Sequence, residues 1–470
     1  MKRKSVCTTS MLSNIIQKCR GDPCGRPPRA FQRSEIQAKY MINHTKRRVV
    51  ITGLGVLASN GIGKEDFWQA CLAGHSGIRR ITRFDASMLT AQIAGEVPDF
   101  NPEALGLTQE ERLSFDRGTQ FAVAASNLAL HDSGLHAQMS EEERDNTGVY
   151  MGSAMSPAEE GEKIWMQVTS HGRHPPLDLV QDTHPEMFMM SFLPAAAIAG
   201  HHQLNGPCTV ISNACSAGSD AIGQAFWTIQ EGRADRMLAG GSDAGLCPTG
   251  LNAFCIIKAL STNNDEPERA SRPYDAKRDG FVMAEGAGVL VLEERELALA
   301  RDAHIYAELV AFASNSNAYH MITLPEDGAP LQHLIRQSLQ EAQIAPEQLG
   351  YINSHGSSTP SNDLVETTAY KAVFGEQAYR IPISSTKSLI GHAQGAASAI
   401  ETIVTALVLE WQKIPPTINQ EHIDPHCDLD YVPNVARQAR VDVALTHSSG
   451  FGGVNSALIL ARPNWLDEHR

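Results

Sequence analysis

The sequence predicts an α/β fold made of two related halves, and three observations support this prediction. Short apolar strands alternate with amphipathic helices, a pattern typical of sheets whose strands are buried on both faces. Each half repeats the same layout, in which a strand, a turn of small residues and an apolar helix occur in order. Each half also contains a glycine-rich strand end, at 239–243 and 449–453.

The strands are predicted from short apolar runs that glycine or polar residues bound. The first ordered strand begins at Arg48 and ends at the glycines around Gly55. We place the boundary between the halves near residue 300, which gives an N-terminal half at 48–300 and a C-terminal half at 301–470. The further strands are predicted at 148–151, 208–211, 237–239, 289–292, 305–311, 351–353, 381–384, 443–446 and 457–460.

Cys215 lies in a turn of small residues between strand 208–211 and an apolar helix that ends near Gly232. At a helix N-terminus the macrodipole and the free backbone N–H groups lower the pKa of a thiol. The same N–H groups can bind an oxyanion. The sequence therefore predicts a nucleophile at Cys215, with a packed structural thiol as the alternative.

Two histidines occupy comparable turns in the second half. His355 directly follows strand 351–353 and precedes glycine and hydroxyl residues, and His392 precedes a helix with an apolar face. Either histidine alone could be a core or cap residue. One cysteine and two histidines at strand ends or helix starts together favour a catalytic site, because such folds build their sites there.

Charge and composition exclude several classes of function. The net charge is −14, although residues 1–48 carry twelve basic and only two acidic side chains. An acidic body argues against a nucleic-acid partner. No run of eighteen apolar residues predicts a membrane span. Nine cysteines without a C-x-x-C pair indicate reduced thiols in a cytoplasm-like compartment, and we predict no metal site.

Residues 1–47 are predicted to be a basic, disordered extension outside the fold. The segment 21–29 is rich in proline, glycine and arginine and has no apolar period. A start at Met41 is one alternative, and organellar targeting by this segment is another. The prediction for the remaining chain is a cytoplasmic location.

Several motifs occur in order along the chain besides the three turns. They are Ala-Leu-Ser-Thr-Asn-Asn-Asp at 259–265, Ser-Arg-Pro-Tyr-Asp at 271–275, the glycine-rich segment 278–288, Asn-Ala-Tyr-His-Met at 317–321 and Cys-Asp-Leu-Asp-Tyr-Val-Pro at 427–433. With these motifs, the chain from about Arg48 to Arg462 resembles the β-ketoacyl-(acyl carrier protein) synthase II family, in the Cys-His-His branch of the thiolase-like fold. The resemblance implies two related α/β halves in a layered α-β-α-β-α arrangement.

The resemblance implies a decarboxylative Claisen condensation. Cys215 would accept an acyl chain from the phosphopantetheine of acyl carrier protein. His355 and His392 would assist decarboxylation of malonyl carrier protein through Nε2–H donors, supported electrostatically by Lys387. No cofactor is implied beyond the phosphopantetheine of the carrier. The resemblance also implies an oxyanion hole of the Cys215 and Phe451 N–H groups, and substrate contacts at Ser357, Thr359, Phe451, Ser449 and Ile322.

Two positions depart from the common fatty-acid pattern. Ser449 replaces one of two pocket phenylalanines, and Ile322 stands where threonine is frequent. The Ser-Gly-Phe-Gly-Gly segment also resembles the ketosynthase subunit of type II polyketide synthases, so polyketide elongation is the alternative to fatty acid elongation. A non-condensing chain-length or scaffold partner is a third interpretation, which the presence of Cys215 disfavours. The starter-condensing type uses Cys-His-Asn, and His392 argues against it.

Acyl carrier protein is the expected partner. Lys258 matches a basic docking position in the family, and Arg79, Arg80 and Arg83 are further candidates. The family is typically homodimeric, and a heterodimer with a chain-length subunit is the alternative.

Overall fold

Two blocks of five β-strands form the centre of the computed structural model, which describes residues 46–135, 139–155, 157–173 and 190–469. The strands are β1 (Val49–Ala58), β2 (Gly61–Ile62), β3 (Arg79–Arg80), β4 (Ile93–Ala94), β5 (Thr147–Gly152), β6 (Cys208–Ile211), β7 (Arg236–Asp243), β8 (Gly286–Glu294), β9 (Ala307–Ser316), β10 (Tyr351–Asn353), β11 (Ile383–Ser384), β12 (Lys413–Ile414), β13 (Arg437–Gln438), β14 (Val443–Ser449) and β15 (Val454–Ala461).

Helices separate and cover these strands. They are α1 (Lys64–Leu72), α2 (Gln109–Ser114), α3 (Arg117–Ser133), α4 (Glu141–Asp145), α5 (Ala158–Val168), α6 (Leu193–His202), α7 (Ala217–Gln230), α8 (Pro248–Ile256), α9 (Arg295–Ala300), α10 (Ala329–Ala342), α11 (Pro360–Phe374), α12 (Lys387–Ile390), α13 (Ala397–Trp411) and α14 (Trp465–His469). Short 3₁₀ turns at Ala214–Ser216 and Gln394–Ala396 directly precede α7 and α13.

The two blocks have the same topology. The N-terminal block has the order β6-β5-β7-β8-β1, and the C-terminal block has the order β11-β10-β14-β15-β9. In each block the first three strands of that order are parallel and the remaining pairings are antiparallel. A short antiparallel pairing of β1 with β9 joins the blocks into one sheet. The predicted two related halves are therefore confirmed.

The helices complete a five-layer arrangement. Helices α7 and α13 contact each other and lie between the two blocks, whereas α3 packs on β1 and β8 and α10 packs on β9 and β15. Helix α13 is buried continuously from Ala397 to Leu409 because it faces strands on both sides. The layered α-β-α-β-α arrangement is thus confirmed, and every predicted strand overlaps an observed one.

Three further predictions concern the limits of the chain. The predicted boundary near residue 300 falls at the end of α9 and stays a prediction. The predicted extension 1–47 lies outside the described residues apart from residues 46 and 47. Among the helices of the described ranges, none combines the length and the apolar character that a membrane span requires.

Candidate active site

Cys215 occupies the 3₁₀ turn that connects β6 to α7. The residue before it, Ala214, has a φ of +49°, which turns the chain sharply so that the thiol projects from the start of the helix. Amides in the first turn of a helix have no intrahelical acceptor and remain available for a ligand. The backbone N–H of Phe451 donates to the Cys215 Sγ. The Cys215 side chain is thus placed beside N–H donors, as the sequence predicts.

The expected lowering of the Cys215 pKa is not observed. The residue is only 5% exposed, and burial raises the pKa of the thiol to about 11. The positive charge of Lys387 and the hydrogen bond from the Phe451 N–H lower it, but they do not offset the loss of solvent. The sequence shows the helix start but not the depth of burial. The thiol is therefore neutral at rest and must give its proton to a base.

His355 is held by its neighbour on β14. Strand β10 ends two residues before His355, and the His355 Nδ1 lies 3.3 Å from the Ser448 Oγ. The Ser448 hydroxyl donates its proton to the Cys215 carbonyl at 3.0 Å. It can therefore only accept from His355, which assigns the proton of His355 to Nδ1. The His355 Nε2 is then an acceptor, which differs from the predicted Nε2–H donor.

His392 is held in the opposite tautomer. The backbone N–H of Gln394 donates to the His392 Nδ1 at 3.2 Å. The proton of His392 is therefore assigned to Nε2, as predicted. The His355 and His392 ring centroids are 5.3 Å apart and the rings are nearly perpendicular. The pair thus presents one acceptor nitrogen and one donor nitrogen, and neither Nε2 has a hydrogen-bond partner within the described ranges.

Both imidazoles are neutral. Burial lowers the pKa of His355 well below its ordinary value, and the positive charge of Lys387 lowers it further. Burial and Lys387 have the same effect on the pKa of His392. A neutral ring can keep one donor and one acceptor nitrogen at physiological pH, so the assigned tautomers persist through the working range.

Lys387 lies behind the histidines and outside the cavity. Its Nζ donates to the His355 carbonyl at 2.8 Å and pairs with Glu401 on α13. Both side chains are 1% exposed. Burial raises the pKa of Glu401 to about 7, although Lys387 opposes this shift. The buried Lys387 ammonium therefore contacts the backbone of His355 but does not reach the reacting groups directly.

A cavity of about 200 Å³ unites nine of the ten predicted site residues; Lys387 is the exception. The Ser357 Oγ and the Thr359 Oγ1 are 3.0 Å apart along one wall. The Phe451 ring stacks on Phe254 with centroids 6.1 Å apart. The nine residues are Cys215, Lys258, Ile322, His355, Ser357, Thr359, His392, Ser449 and Phe451.

The basic residues predicted for docking separate into two groups. Lys258 is exposed at the cavity mouth. Arg79, Arg80 and Arg83 do not line this cavity, and they form ion pairs with Glu268, Asp265 and Glu159. The structure therefore brings only Lys258 to the mouth.

Several residues that position the site were not predicted from the sequence. Ser448 and Gln394 fix the histidine tautomers, and Glu401 pairs with Lys387. Asp243 accepts the backbone N–H groups of Ala154, Met155 and Gly395, and both Glu366 oxygens accept the Gly356 N–H. Gln394 is two residues from His392, but the other partners are 10 or more residues from the groups they hold, so only the folded chain shows them. In the described ranges, no cluster of His, Cys, Asp or Glu has the arrangement of a metal site.

The fold and the site define a class. A buried thiol at a helix start, flanked by two neutral imidazoles in a doubled α/β fold, is the arrangement of a thiolase-like condensing enzyme. Two family models match the chain: the β-ketoacyl synthase N-terminal domain over residues 46–298 and the β-ketoacyl synthase C-terminal domain over residues 306–421. The chain belongs to the β-ketoacyl synthase family and is a condensing acyltransferase.

Relatives of two kinds are similar to the chain. The tetracenomycin polyketide synthase ketoacyl synthase alpha subunit of Streptomyces glaucescens is 44% identical over 426 residues, covering 90% of this chain and 99% of that protein. The 3-oxoacyl-[acyl-carrier-protein] synthase 2 of Coxiella burnetii is 43% identical over 424 residues, covering 89% and 99%. The similarity thus extends to both fatty-acid and polyketide ketosynthases.

A solved structure shows the same fold. It is a type II polyketide synthase ketosynthase, bound to the hexaketide, in complex with its acyl-carrier protein. It aligns with a TM-score of 0.82 and 38% identity, covering 88% of this chain and 99% of that chain.

Proposed function

We propose that Cys215, His355, His392 and Lys387 carry out decarboxylative condensation of an acyl group with a malonyl group, each delivered on acyl carrier protein. The observation that carries this proposal is the pair of opposite tautomers beside a buried thiol. An acceptor nitrogen suits removal of the thiol proton, and a donor nitrogen suits stabilisation of an enolate. The side chains of Cys215, His355 and His392 all line the cavity of about 200 Å³.

The first step loads the enzyme. The His355 Nε2 takes the Cys215 proton, and the thiolate attacks the acyl thioester carbonyl. The N–H groups of Cys215 and Phe451 bind the oxyanion. The carbon–sulfur bond to pantetheine breaks, and the leaving thiolate regains the proton from His355. A base is required here because the Cys215 pKa is about 11.

The second step forms the nucleophile. The bond between the malonyl α-carbon and the carboxylate breaks, carbon dioxide leaves, and the electron pair passes to the thioester oxygen as an enolate. The His392 Nε2–H donates to this oxygen, and the buried Lys387 charge lowers the energy of the anion. The pKa of His392 lies below its ordinary value, so the ring is a neutral imidazole at neutral pH, and its Nε2–H donates a hydrogen bond to the enolate.

The third step forms the carbon–carbon bond. The enolate carbon attacks the acyl-Cys215 carbonyl, and the oxyanion again occupies the N–H groups of Cys215 and Phe451. The bond to the Cys215 Sγ breaks, the thiolate regains a proton from water, and the β-ketoacyl thioester leaves on the carrier. The cycle uses the thiol and the imidazoles, and we propose no cofactor besides the phosphopantetheine arm of the carrier.

The phosphopantetheine arm would enter past the hydroxyl groups on one wall of the cavity. Ser357 and Thr359 offer hydroxyl groups to the amides of phosphopantetheine, and Ile322 and Phe451 form apolar sides of the entrance. Lys258 at the mouth is the proposed contact for the acidic carrier protein.

Lys258→Glu is therefore expected to raise KM for acyl carrier protein about tenfold, because like charges then oppose each other at the mouth. Alkylation of Cys215 by iodoacetamide should keep its wild-type rate, since the reagent needs no docking. An unchanged KM would remove Lys258 from the docking surface.

Polyketide elongation is the second proposed function, and Ser449 favours it. A serine in place of a pocket phenylalanine leaves the cavity wall smaller and more polar beside Cys215. The relatives support both pathways. A homodimer is the proposed state for fatty-acid elongation, and a heterodimer with a chain-length subunit is the proposed state for polyketide elongation. A cytoplasmic location would keep Cys215 reduced, like the other free cysteines of the described ranges.

The test is incubation of the purified protein with malonyl carrier protein and a panel of acyl carrier proteins, with products identified by intact mass. The wild type is expected to yield the β-ketoacyl carrier with two added carbons, and Cys215→Ala is expected to yield none. Products from saturated acyl carriers support fatty-acid elongation. Repeated extension without reduction, dependent on an added chain-length subunit, supports the polyketide function. Condensation by Cys215→Ala would refute the mechanism.

A further inference from the structure

Residues 317–324 form one side of the cavity entrance. Ile322 and Leu324 line the cavity. Met321 is 74% exposed and Ile322 is 45% exposed, so burial contributes little to the conformation of this segment. Segments with few buried apolar contacts open at low free-energy cost. The hydrogen bonds of this segment therefore decide its conformation.

His320 makes two of these hydrogen bonds from a single atom. Its Nδ1 accepts the backbone N–H groups of Ile322 and Thr323, each at 3.1 Å. The proton of His320 is thus assigned to Nε2. This is the arrangement of an Asx turn, in which a side-chain acceptor binds amides two and three residues further on. His320 holds the segment in a closed turn at the position of Ile322.

The same segment is tied to the turn that follows Phe451. The Gly452 N–H donates to the Met321 carbonyl at 2.7 Å, and the Asn317 N–H donates to the Gly453 carbonyl at 2.7 Å. Gly452 directly follows Phe451, whose N–H donates to the Cys215 Sγ. A chain of backbone contacts thus runs from the His320 turn to the oxyanion donor.

We propose that His320 is a positioning residue for the condensation, a role that rests on the proposed function. It touches neither the cavity nor the thiol. By fixing the amides of Ile322 and Thr323 it holds the Met321 carbonyl where it binds Gly452, and this contact sets the Phe451 N–H and the entrance width. Loss of the His320 acceptor releases both entrance segments together.

Two substitutions separate the acceptor from the bulk of the side chain. His320→Asn places an oxygen near the position of Nδ1, whereas His320→Gln places it near Nε2, beyond reach of the two amides. His320→Asn is expected to retain kcat/KM for the malonyl carrier within about twofold. His320→Gln is expected to lose on the order of tenfold in kcat/KM, because two hydrogen bonds at the entrance are lost.

Amide hydrogen exchange provides a readout that needs no activity. The amides of Ile322, Thr323 and Gly452 are expected to exchange on the order of tenfold faster in His320→Gln than in the wild type, with His320→Asn close to the wild type. Equal exchange in all three proteins would overturn the inference, and so would faster exchange with unchanged kcat/KM, or equal impairment of both variants. Absence of condensation by the wild type would defeat the proposed function instead, while the exchange comparison still decides whether His320 holds the segment.

Discussion

The two halves place matching backbone positions around the cavity but give them different side chains. The register of β5 with β6 and β7 corresponds to that of β10 with β11 and β14. By this register Ala154 in the first half corresponds to His355 in the second. The 3₁₀ turns before α7 and α13 begin with positive φ at Ala214 and Gln394, so Cys215 corresponds to Gly395.

The connecting residues also correspond. Asp243 ends β7 and binds the N–H groups of Ala154 and Gly395. Ser448, its counterpart on β14, binds the Cys215 carbonyl and the His355 ring. The Asp243 carboxylate therefore forms a bridge between two backbone amides. The Ser448 hydroxyl forms a bridge between the turn that contains Cys215 and the His355 imidazole.

The difference between the bridges shows how a duplicated fold produces one site. The first half contributes the thiol of Cys215, and the corresponding residue of the second half is the small Gly395. The second half contributes the imidazole of His355, and the corresponding residue of the first half is the small Ala154. Backbone packs closely at the Asp243 bridge, where a Cβ added at Gly395 would overlap the Ala154 nitrogen. The two residues that Ser448 joins, Cys215 and His355, instead line the cavity of about 200 Å³. The chemistry is therefore confined to one of two related junctions.

The largest expected effect is on stability, and it follows from the difference between the turn that contains Cys215 and the turn that contains Gly395. A Cβ added at Gly395 would lie 2.6 Å from the Ala154 nitrogen and 2.6 Å from the Asp243 Oδ2. Gly395→Ala is expected to lower the free energy of unfolding by about 2–3 kcal/mol, because backbone cannot retreat from the overlap. Cys215→Ala should unfold close to the wild type, since its turn already accepts a side chain.

Gly200→Ala provides the matched control for chemical denaturation. Gly200 lies within α6 and a Cβ there meets no atom within 4 Å, so the variant should be as stable as the wild type or more stable. Equal stability of Gly395→Ala and Gly200→Ala would show that the two junctions are packed alike.

The next effect concerns the Ser448 bridge. Ser448→Ala removes the acceptor that fixes the His355 proton on Nδ1, so the Nε2 base is no longer enforced. The condensation rate is expected to fall on the order of tenfold, with a cost in stability of about 1 kcal/mol. Ser338→Ala, which loses a buried hydroxyl bond in α10, is the control and should keep full activity. Full activity of Ser448→Ala would show that the His355 tautomer does not set the condensation rate.

The last prediction concerns the carboxyl group of Glu366, which accepts the Gly356 N–H beside His355. Burial and the nearby Asp363 raise the pKa of Glu366 to about 8, against an ordinary value of 4.5. The folded state therefore holds this proton more tightly, and the resulting stability is complete below pH 4.5 and is lost as the pH rises to 8.

Glu366→Gln is expected to lose this dependence. Relative to the variant, the wild type should lose about 1–3 kcal/mol of stability between pH 5 and pH 8, measured by chemical denaturation at each pH. Parallel pH profiles for the two proteins would place the Glu366 pKa near its ordinary value.

The sequence predicted the strands, the central helices and the turns of Cys215, His355 and His392 because these signals are local, whereas the family resemblance supplied the other residues of the cavity. Apolar periodicity locates β6 and α7, and a turn of small residues locates Cys215. The tautomer of His355 could not be predicted, because Ser448 reaches His355 only through the pairing of β14 with β10. The direction of the Cys215 pKa shift was missed for a related reason: the helix start is visible in the sequence, but the packing that excludes water is not.

Acylation by an acyl carrier protein tests whether the junction containing Ser448 is the only one of the two that reacts. The protein is incubated with an acyl carrier protein alone, and the covalent adduct is located by mass spectrometry of peptides. We expect one acyl group on Cys215, which disappears when malonyl carrier protein is added and the β-ketoacyl product forms. An acyl group on another residue, or an adduct on Cys215 that malonyl carrier protein does not discharge, would contradict this expectation.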